Sequence, residues 1–364
     1  MTNKEKEILA IIESNPMIEQ EDIAKILGIS RSTVAVHIAS LIKQGYILGK
    51  GYISRSDDYV VGIGAANVDI YGKSKTKIKT HYDHPSIIST SVGGVTRNVL
   101  ENMSLLGNQT KLLSTVGDDV YGDLIIKHSK DVGIDVSNVI KVAGYSSGLF
   151  MQVKDDDNDM YLALCDMSVN EKIDTKYIIS KNKIIEKSKT IIIDPSLNED
   201  VIEEIIDRYS NIPIFIDPVS DNYAKKLKPY IGKIFACKPN RSELEVLSSM
   251  KIEKDEDVKK AGKILLDKGL KRLYISLGRE GCAYMDKDRY IKKTISPIEK
   301  IVNASGAGDA FFAAIIHSFL NNIEIDKALD YGNAAGVIAL NSDSPINSNL
   351  SIRLIKKTIK ELNK

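Results

Sequence analysis

Asn303-Ala304-Ser305-Gly306-Ala307-Gly308-Asp309-Ala310-Phe311-Phe312 runs without interruption into Ala313-Ala314-Ile315-Ile316. Two glycines bracket Ala307, a carboxylate follows, and the apolar spacing of a buried helix then begins. Glycine lets a backbone approach a ligand closely, and the unpaired amides and dipole of a first helical turn both favour an anion. An acid beside a polyanion does not help to hold it; its chemistry there is to accept a proton from an attacking hydroxyl. Asp309 is therefore a candidate base, with Gly306, Ala307 and Gly308 as the loop around the anion. The competing reading is a tight turn whose Asp caps the helix. The rest of the chain has to separate the two.

Upstream of this stretch, apolar runs alternate with helical patterns: Ile191-Ile192-Ile193-Asp194, Ile212 to Asp217, Ile234-Phe235-Ala236-Cys237 and Leu273-Tyr274-Ile275-Ser276. Continuous apolar runs between helices predict parallel strands covered on both faces. Open α/β sheets bind ligands beyond the carboxyl ends of such strands. Lys238-Pro239-Asn240-Arg241-Ser242-Glu243 and Leu277-Gly278-Arg279-Glu280-Gly281 occupy that position. Earlier, Tyr59 to Ile63 leads into Gly64-Ala65-Ala66-Asn67-Val68-Asp69, where a dinucleotide fingerprint would need glycine in place of Asn67. Asp69 beyond a strand end suits a pair of sugar hydroxyls, since a carboxylate accepts two hydrogen bonds at once; an Asx turn is the alternative. Val92-Gly93-Gly94-Val95-Thr96-Arg97-Asn98 again places paired glycines before a helix, with Asn98 able to donate and accept. Gly148 to Val153 and Met160 to Leu164 alternate with period two around an acidic turn, which predicts an antiparallel hairpin serving as a lid or dimer surface. A Gly-x-x-x-x-Gly-Lys-Ser/Thr motif is absent, which excludes a Walker-type nucleotide site.

The first 56 residues read as a separate unit. Helical spacing from Lys4 stops at Asn15-Pro16, a second helix spans Glu19 to Leu27, and Gly28 with Ser30 turns the chain into a third from Arg31 to about Gln44. Helix, glycine turn and Ser-capped helix make a helix-turn-helix, with Val34, Ile38 and Leu41 inward and Arg31, Ser32, Thr33, Val36 and His37 outward. Gly45 to Ile53 then reads as a β wing with Lys50 at its tip, placed to meet a phosphate. The acids of this unit all precede Arg31, so its third helix and wing carry only basic charge.

Bulk composition narrows the classes. Lys+Arg 50 against Asp+Glu 49 leaves a net charge of +1, so no global field advertises a nucleic-acid or membrane partner. Three scattered cysteines argue against a disulfide framework, and no apolar run is long enough for a membrane span, which makes the cytoplasm the expected compartment.

Taken together, Asn67-x-Asp69, Gly93-Gly94 with Asn98, Asn240-x-x-Glu243, Ser276-Leu277-Gly278 and Gly306-Ala307-Gly308-Asp309 resemble, in order and spacing, the ribokinase-like carbohydrate kinases of the PfkB family. Residues 1–56 resemble the winged helix-turn-helix domains of bacterial transcription regulators. The resemblance implies an α/β fold: a three-layer α/β/α domain over residues 57–364 with a small β lid at about 147–166, preceded by the winged helix. It implies transfer of a phosphoryl group from Mg2+-ATP to a primary hydroxyl of a sugar or nucleoside. Carried over by position, Asp309 is the base, and the amides of Ser305 to Gly308 form the anion hole. Asn67, Asp69, Gly93, Gly94, Asn98 and Asp166 hold the substrate. Asn240, Ser276, Gly278, Gly281 and Asn333 border ATP, and Glu243 organises Mg2+ indirectly. Many relatives carry Asp-Thr where this chain has Asn303-Ala304, so K+ activation is not carried over.

Within the family, Gly93 to Asn102, Ser147 to Phe150 and Cys165-Asp166-Met167 look most like the members that act on pseudouridine. Ribose, another nucleoside or another sugar remains an open alternative. So does a transcription regulator that uses a kinase-like domain only as a nucleoside sensor. A winged helix reads one half-site, so a homodimer and DNA are the expected partners.

Overall fold

The computed structural model describes residues 1–15, 18–44, 46–47, 58–157, 159–296, 301–303 and 305–362. These residues divide into two compact units, one ending at Asp58 and the other starting at Tyr59.

In the first unit, α1 (Asn3–Ser14), α2 (Gln20–Leu27) and α3 (Arg31–Lys43) pack around Ile8, Ile12, Ile23, Val34, Ile38 and Leu41. Local chemistry sets each boundary. Thr2 and Glu5 form a reciprocal capping box on α1, Gly28 takes a left-handed φ of 62° after α2, and the Ser30 hydroxyl accepts the Thr33 N–H at 3.1 Å. Glu5 also accepts from Ser40 at 2.7 Å and Gln44 at 3.2 Å, which ties α1 to α3. Those hydrogen bonds, the one from Ser40 first, hold its carboxyl well below the ordinary range, at about 2. The predicted wing tip with Lys50 lies outside the described residues.

The second unit has two sheets. The larger one uses β1 (Tyr59–Ile63), β4 (Gln109–Gly117), β5 (Ile134–Val142), β8 (Thr190–Ile193), β9 (Ile214–Ile216), β10 (Ala236–Cys237), β11 (Arg272–Ser276), β12 (Cys282–Met285) and β13 (Tyr290–Lys293), in the order β13-β12-β11-β10-β9-β8-β1-β4-β5. Its strands are parallel from β5 through β11, and β12 and β13 close one edge antiparallel. Alternate residues feed two separate cores: Val61, Ile63, Ile191, Ile193, Ile214 and Ile216 enter one, and Val60, Ile192 and Phe215 enter the other. Those side chains are covered on both faces, which is the three-layer α/β/α arrangement. Among the described residues no single helix is long and apolar enough to cross a membrane.

The smaller sheet is the lid, formed by β2 (Asn67–Ser74), β3 (Ser86–Gly93), β6 (Gly148–Lys154) and β7 (Met160–Asp166) in the order β3-β2-β6-β7. Its hairpin β6–β7 is antiparallel as predicted, although β7 is exposed along its whole length and shows no alternation of burial. Its other half differs from expectation, because Asn67 and Asp69 sit on strand β2 rather than in a loop after β1. The reason is physical: β2 and most of β3 lack an alternating buried face, so they carry no period-two signal.

Candidate active site

The helix Ala307–Leu320 begins at Gly306, whose φ of 79° is left-handed. A Cβ at Gly306 would overlap the Pro345 carbonyl oxygen, so both conformation and space require glycine there. No side chain caps this helix. Among the described residues nothing accepts from the amides of Gly306, Ala307, Gly308 and Asp309, whereas the Ser305 N–H is taken by Asn303 Oδ1 at 3.0 Å. Among the described residues, the amides without an acceptor thus start at Gly306, one residue later than the sequence suggested. Asp309 Oδ2 accepts from Asn98 Nδ2 at 2.9 Å instead of capping its own helix. That geometry removes the capped-turn reading.

Asn98 lies in the first turn of the helix Val95–Leu105, which starts at Gly94 with φ 100°. Asp69 faces it from the lid, with Oδ1 accepting from Asn67 Nδ2 at 2.6 Å and Oδ2 from Tyr71 Oη at 3.1 Å. A Cβ on Gly93 would overlap the Asp69 carboxylate, and one on Gly94 would overlap the Ala65 carbonyl. The paired glycines are therefore needed for a close approach of loop to lid. A cavity of about 330 Å³ continues along the lid, bordered by Tyr71, Lys73, Ser89, Lys154, Asn303 and Pro345.

On the other side of the Gly306 loop, a cavity of about 340 Å³ is bordered by Asn240, Ser276, Gly278, Gly281, Asn333, Ala307 and Gly308. All five residues expected at ATP line this one space. Asn240 and Glu243 form a capping box at the start of the helix Arg241–Ser248, with Glu243 Oε2 accepting the Asn240 N–H at 2.8 Å. Glu243 is buried, and burial followed by the Asp217 charge pushes its carboxyl up to about 7. Among the described residues, no three acidic, histidine or cysteine side chains gather as a metal cage. This donor set fits Mg2+ held chiefly by phosphates and water, with Glu243 in an outer position.

Electrostatics converge on Asp309. Burial first, then the Asp217 and Asp69 charges, raise its carboxyl, while Asn98 and Lys238 pull it down; the balance stands at about 7. Lys238 and Asp217 form a buried ion pair at 2.7 Å, and Asp217 with Glu243 and Asp309 overcomes desolvation to raise the ammonium further. Asp69 is also raised, by burial.

The sequence did not single out Lys238, Asp217, Tyr71 or Arg97. Asp217 and Lys238 follow β9 and β10 directly, on the same rim as Asn240, and that shared position was the available signal. Asp166 is not brought into the site. It pairs with Leu149, whereas Asp69 pairs with Phe150 and Phe150 with Cys165, so Cys165 lies on the Asp69 face and Asp166 on the opposite one. Its exposed carboxylate accepts the Ser168 N–H at 3.0 Å. A shift of one residue along a strand reverses the face, which spacing alone does not reveal. In the N-terminal unit Arg31, Ser32 and Thr33 are exposed and His37 half-buried, while the Ser32 and Thr33 hydroxyls both meet Ser30, at 2.7 and 2.8 Å.

A helix start that no side chain caps, a raised carboxylate in its first turn and a cavity on each side of its loop fit a phosphoryl-transfer enzyme built on a three-layer α/β/α fold. Residues 57–352 match the family described as pfkB family carbohydrate kinase, and residues 1–47 match winged helix-turn-helix DNA-binding. The chain belongs to the PfkB family and is a kinase of sugars or nucleosides with a winged helix-turn-helix unit at its N-terminus. It is 33% identical over 351 residues to the uncharacterized sugar kinase YeiI of Escherichia coli (strain K12), covering 96% of this chain and 97% of that protein. It is 31% identical over 298 residues to the pseudouridine kinase of the same organism, covering 82% and 95%. Arabidopsis thaliana ribokinase complexed with ribose and ATP shares the fold with a TM-score of 0.73 at 21% identity, over 83% of this chain and 99% of that one.

Proposed function

We propose that this protein phosphorylates the 5'-hydroxyl of a nucleoside, with pseudouridine as the preferred acceptor and ATP as donor. The observation that carries the reading is Asp309 in the first turn of a helix that no side chain caps, hydrogen-bonded to Asn98 on the acceptor loop, with the cavity lined by Asn240, Ser276, Gly278, Gly281 and Asn333 reaching Ala307 and Gly308 beside it. Asp69, steadied by Asn67 and Tyr71, holds the sugar hydroxyls together with Asn98 and the Gly93-Gly94 turn. Asp309 takes the proton of the primary hydroxyl as its oxygen attacks the terminal phosphorus, whose bond to the bridging oxygen breaks so that ADP leaves. The amides of Gly306, Ala307 and Gly308 meet the charge that develops on the equatorial oxygens. Glu243 would hold Mg2+ indirectly, and the ion, when bound with the nucleotide, would supply neutralisation of phosphate charge. The 31% identity to a pseudouridine kinase supports the acceptor, and the cavity along the lid supports one larger than a bare pentose. An assay of phosphoryl transfer from ATP to pseudouridine, uridine, adenosine and ribose tests it. Pseudouridine is expected to give the highest kcat/KM; a clear preference for ribose would overturn the nucleoside reading.

Two outcomes follow from the site. Because Asp309 must be ionised to accept a proton, kcat/KM for the acceptor rises with pH up to about 7 and then levels, with a slope of about tenfold per unit on the acid side. Glu243 titrates in the same range, so the limb steepens if its ionisation is also required. A profile that is flat from pH 5.5 to 8 would remove Asp309 as the base. Gly93→Ala pushes the new methyl into Asp69 and is expected to raise the acceptor KM by about tenfold or more, leaving the ATP KM unchanged.

The N-terminal unit is proposed to bind DNA, with the exposed start of α3 reading base edges and Lys50 contacting phosphate. Arg31→Ala is expected to weaken operator binding by about 1–3 kcal/mol in a gel-shift titration at fixed salt. Equal affinity of the variant and wild type would dismiss this face of α3. A homodimer is the assembly such a reader requires, and the lid edge β7, which exposes Met160, Tyr161, Leu162 and Leu164, is the apolar surface that supports it.

A further inference from the structure

We propose that Arg97 is a positioning residue: it fixes the direction of the Asn98 amide and so decides which hydrogen bond the proton-accepting carboxylate of Asp309 receives. The inference rests on the reading of Asp309 as the base.

Arg97 is completely buried. Its Nε donates to the Gly93 carbonyl at 3.0 Å, and its Nη2 donates to the Val92 carbonyl at 3.2 Å and to Asn98 Oδ1 at 2.8 Å. Its Nη1 meets Glu101 Oε2 at 2.7 Å and His128 Nδ1 at 3.3 Å. A guanidinium only donates, whereas the two ends of an amide have the same shape and opposite hydrogen-bonding character. Arg97 therefore forces the oxygen of Asn98 toward itself, which leaves Nδ2 to donate to Asp309 Oδ2 at 2.9 Å. Donation stabilises the ionised carboxylate and leaves Oδ1 of Asp309 for the acceptor proton. With the amide reversed, its carbonyl would face Asp309 and favour the protonated acid, which cannot serve as a base. Glu101 balances the buried charge, so the pair sets this direction without a net charge beneath the site. The bonds to Val92 and Gly93 also join the Gly93-Gly94 turn to the same guanidinium. One side chain thus holds both the acceptor loop and the partner of the base.

The charged and titratable groups that act on Asp309 are Asp217 and Lys238 from the main sheet, Asp69 and Tyr71 from the lid, and Arg97 itself. All but Arg97 stay in place in the test. Arg97→Met combined with Glu101→Met removes the pair without leaving a buried charge unpaired. In the full-length protein, with folding checked by thermal unfolding, the Asp309 carboxyl is titrated by infrared difference spectroscopy against Asp309→Asn. The expected result is an upward shift of about one pH unit or more from about 7. In an Asn98→Leu background there is no amide to turn, and the same pair replacement should shift the titration by less than half as much. Arg97→Gln with Glu101→Gln keeps polar contacts for the fold but no longer dictates the amide's direction, and should also shift the titration upward. An unchanged titration in a folded variant would overturn the proposal. An equal shift in the Asn98→Leu background would do so too, because it would mean that Arg97 acts through space by its charge alone. Failure of the base reading is distinguishable, since it would show as retained turnover in Asp309→Asn.

Discussion

Asp309→Asn is expected to lower kcat by about 10²- to 10⁴-fold and at the same time to make the protein more stable. The first effect follows because an amide cannot accept the hydroxyl proton, while its shape and its bond from Asn98 are kept. The second follows from its surroundings. Burial first, then the charges of Asp217 and Asp69, oppose ionisation of Asp309, and its carboxyl is raised from 3.8 to about 7. A folded-state value above the unfolded one means that the native protein binds the extra proton between these two pH values. Its stability therefore declines as pH rises through that window. Above about pH 7 the ionised carboxylate is a burden on the order of 4 kcal/mol, which asparagine removes. Thermal unfolding at pH 8 should show a higher midpoint for the variant, and the difference should vanish near pH 4. A variant that keeps its turnover would dismiss the base. One that loses turnover but gains no stability at pH 8 would mean that Asp309 is not held against its neighbours' charge. A capping role predicts neither result, since asparagine caps a helix about as well as aspartate.

Gly306→Ala should damage both fold and function. Its left-handed φ disfavours any side chain by about 1–2 kcal/mol, and overlap with the Pro345 carbonyl adds about 1–3 kcal/mol of displacement. The loop has to move, and with it the amides aimed at the phosphoryl group, so turnover should fall by at least about 10²-fold. Gly308 provides the contrast. A Cβ there meets only Lys238 Nζ, at 3.1 Å, so Gly308→Ala should leave the unfolding midpoint close to wild type while still narrowing the space for phosphate. Equal stability of Gly306→Ala and wild type would show that the Pro345 contact is slack.

What could be read from the sequence, and what could not, divides along physical lines. The buried parallel strands announce themselves by uninterrupted isoleucine and valine, and the Gly306 loop by glycines that no ordinary helix start needs. The first unit was legible because Gly28 and Ser30 fix two helix ends within three residues. The lid was half legible: β6 and β7 stand out as apolar runs on either side of an acidic turn, whereas β3 is a mostly exposed run without such a turn to mark it. Asp217 and Lys238 escaped because a charged residue at the end of an apolar run looks like the start of a solvated loop. Only their mutual burial marks them. Asp166 misled for the opposite reason, being the conspicuous charge beside the residue that does face the site.

On the proposed reading the lid contributes to the acceptor side alone, while the acceptor also meets Asn98 from the helix Val95–Leu105. Asp69 and Tyr71 belong to the lid, whereas Asn240, Ser276 and the Gly306 helix are set by the main sheet and the helices packed on it. The anion-binding helix is clamped against the helix Ile325–Leu340 through small residues, where a side chain on Gly332 would collide with the ring of Phe311. If the proposed reading holds, exchanging β2, β3, β6 and β7 as a cassette, together with residues 94–98, which meet the same acceptor, is the expected route to a new acceptor preference, with the donor half left unaltered.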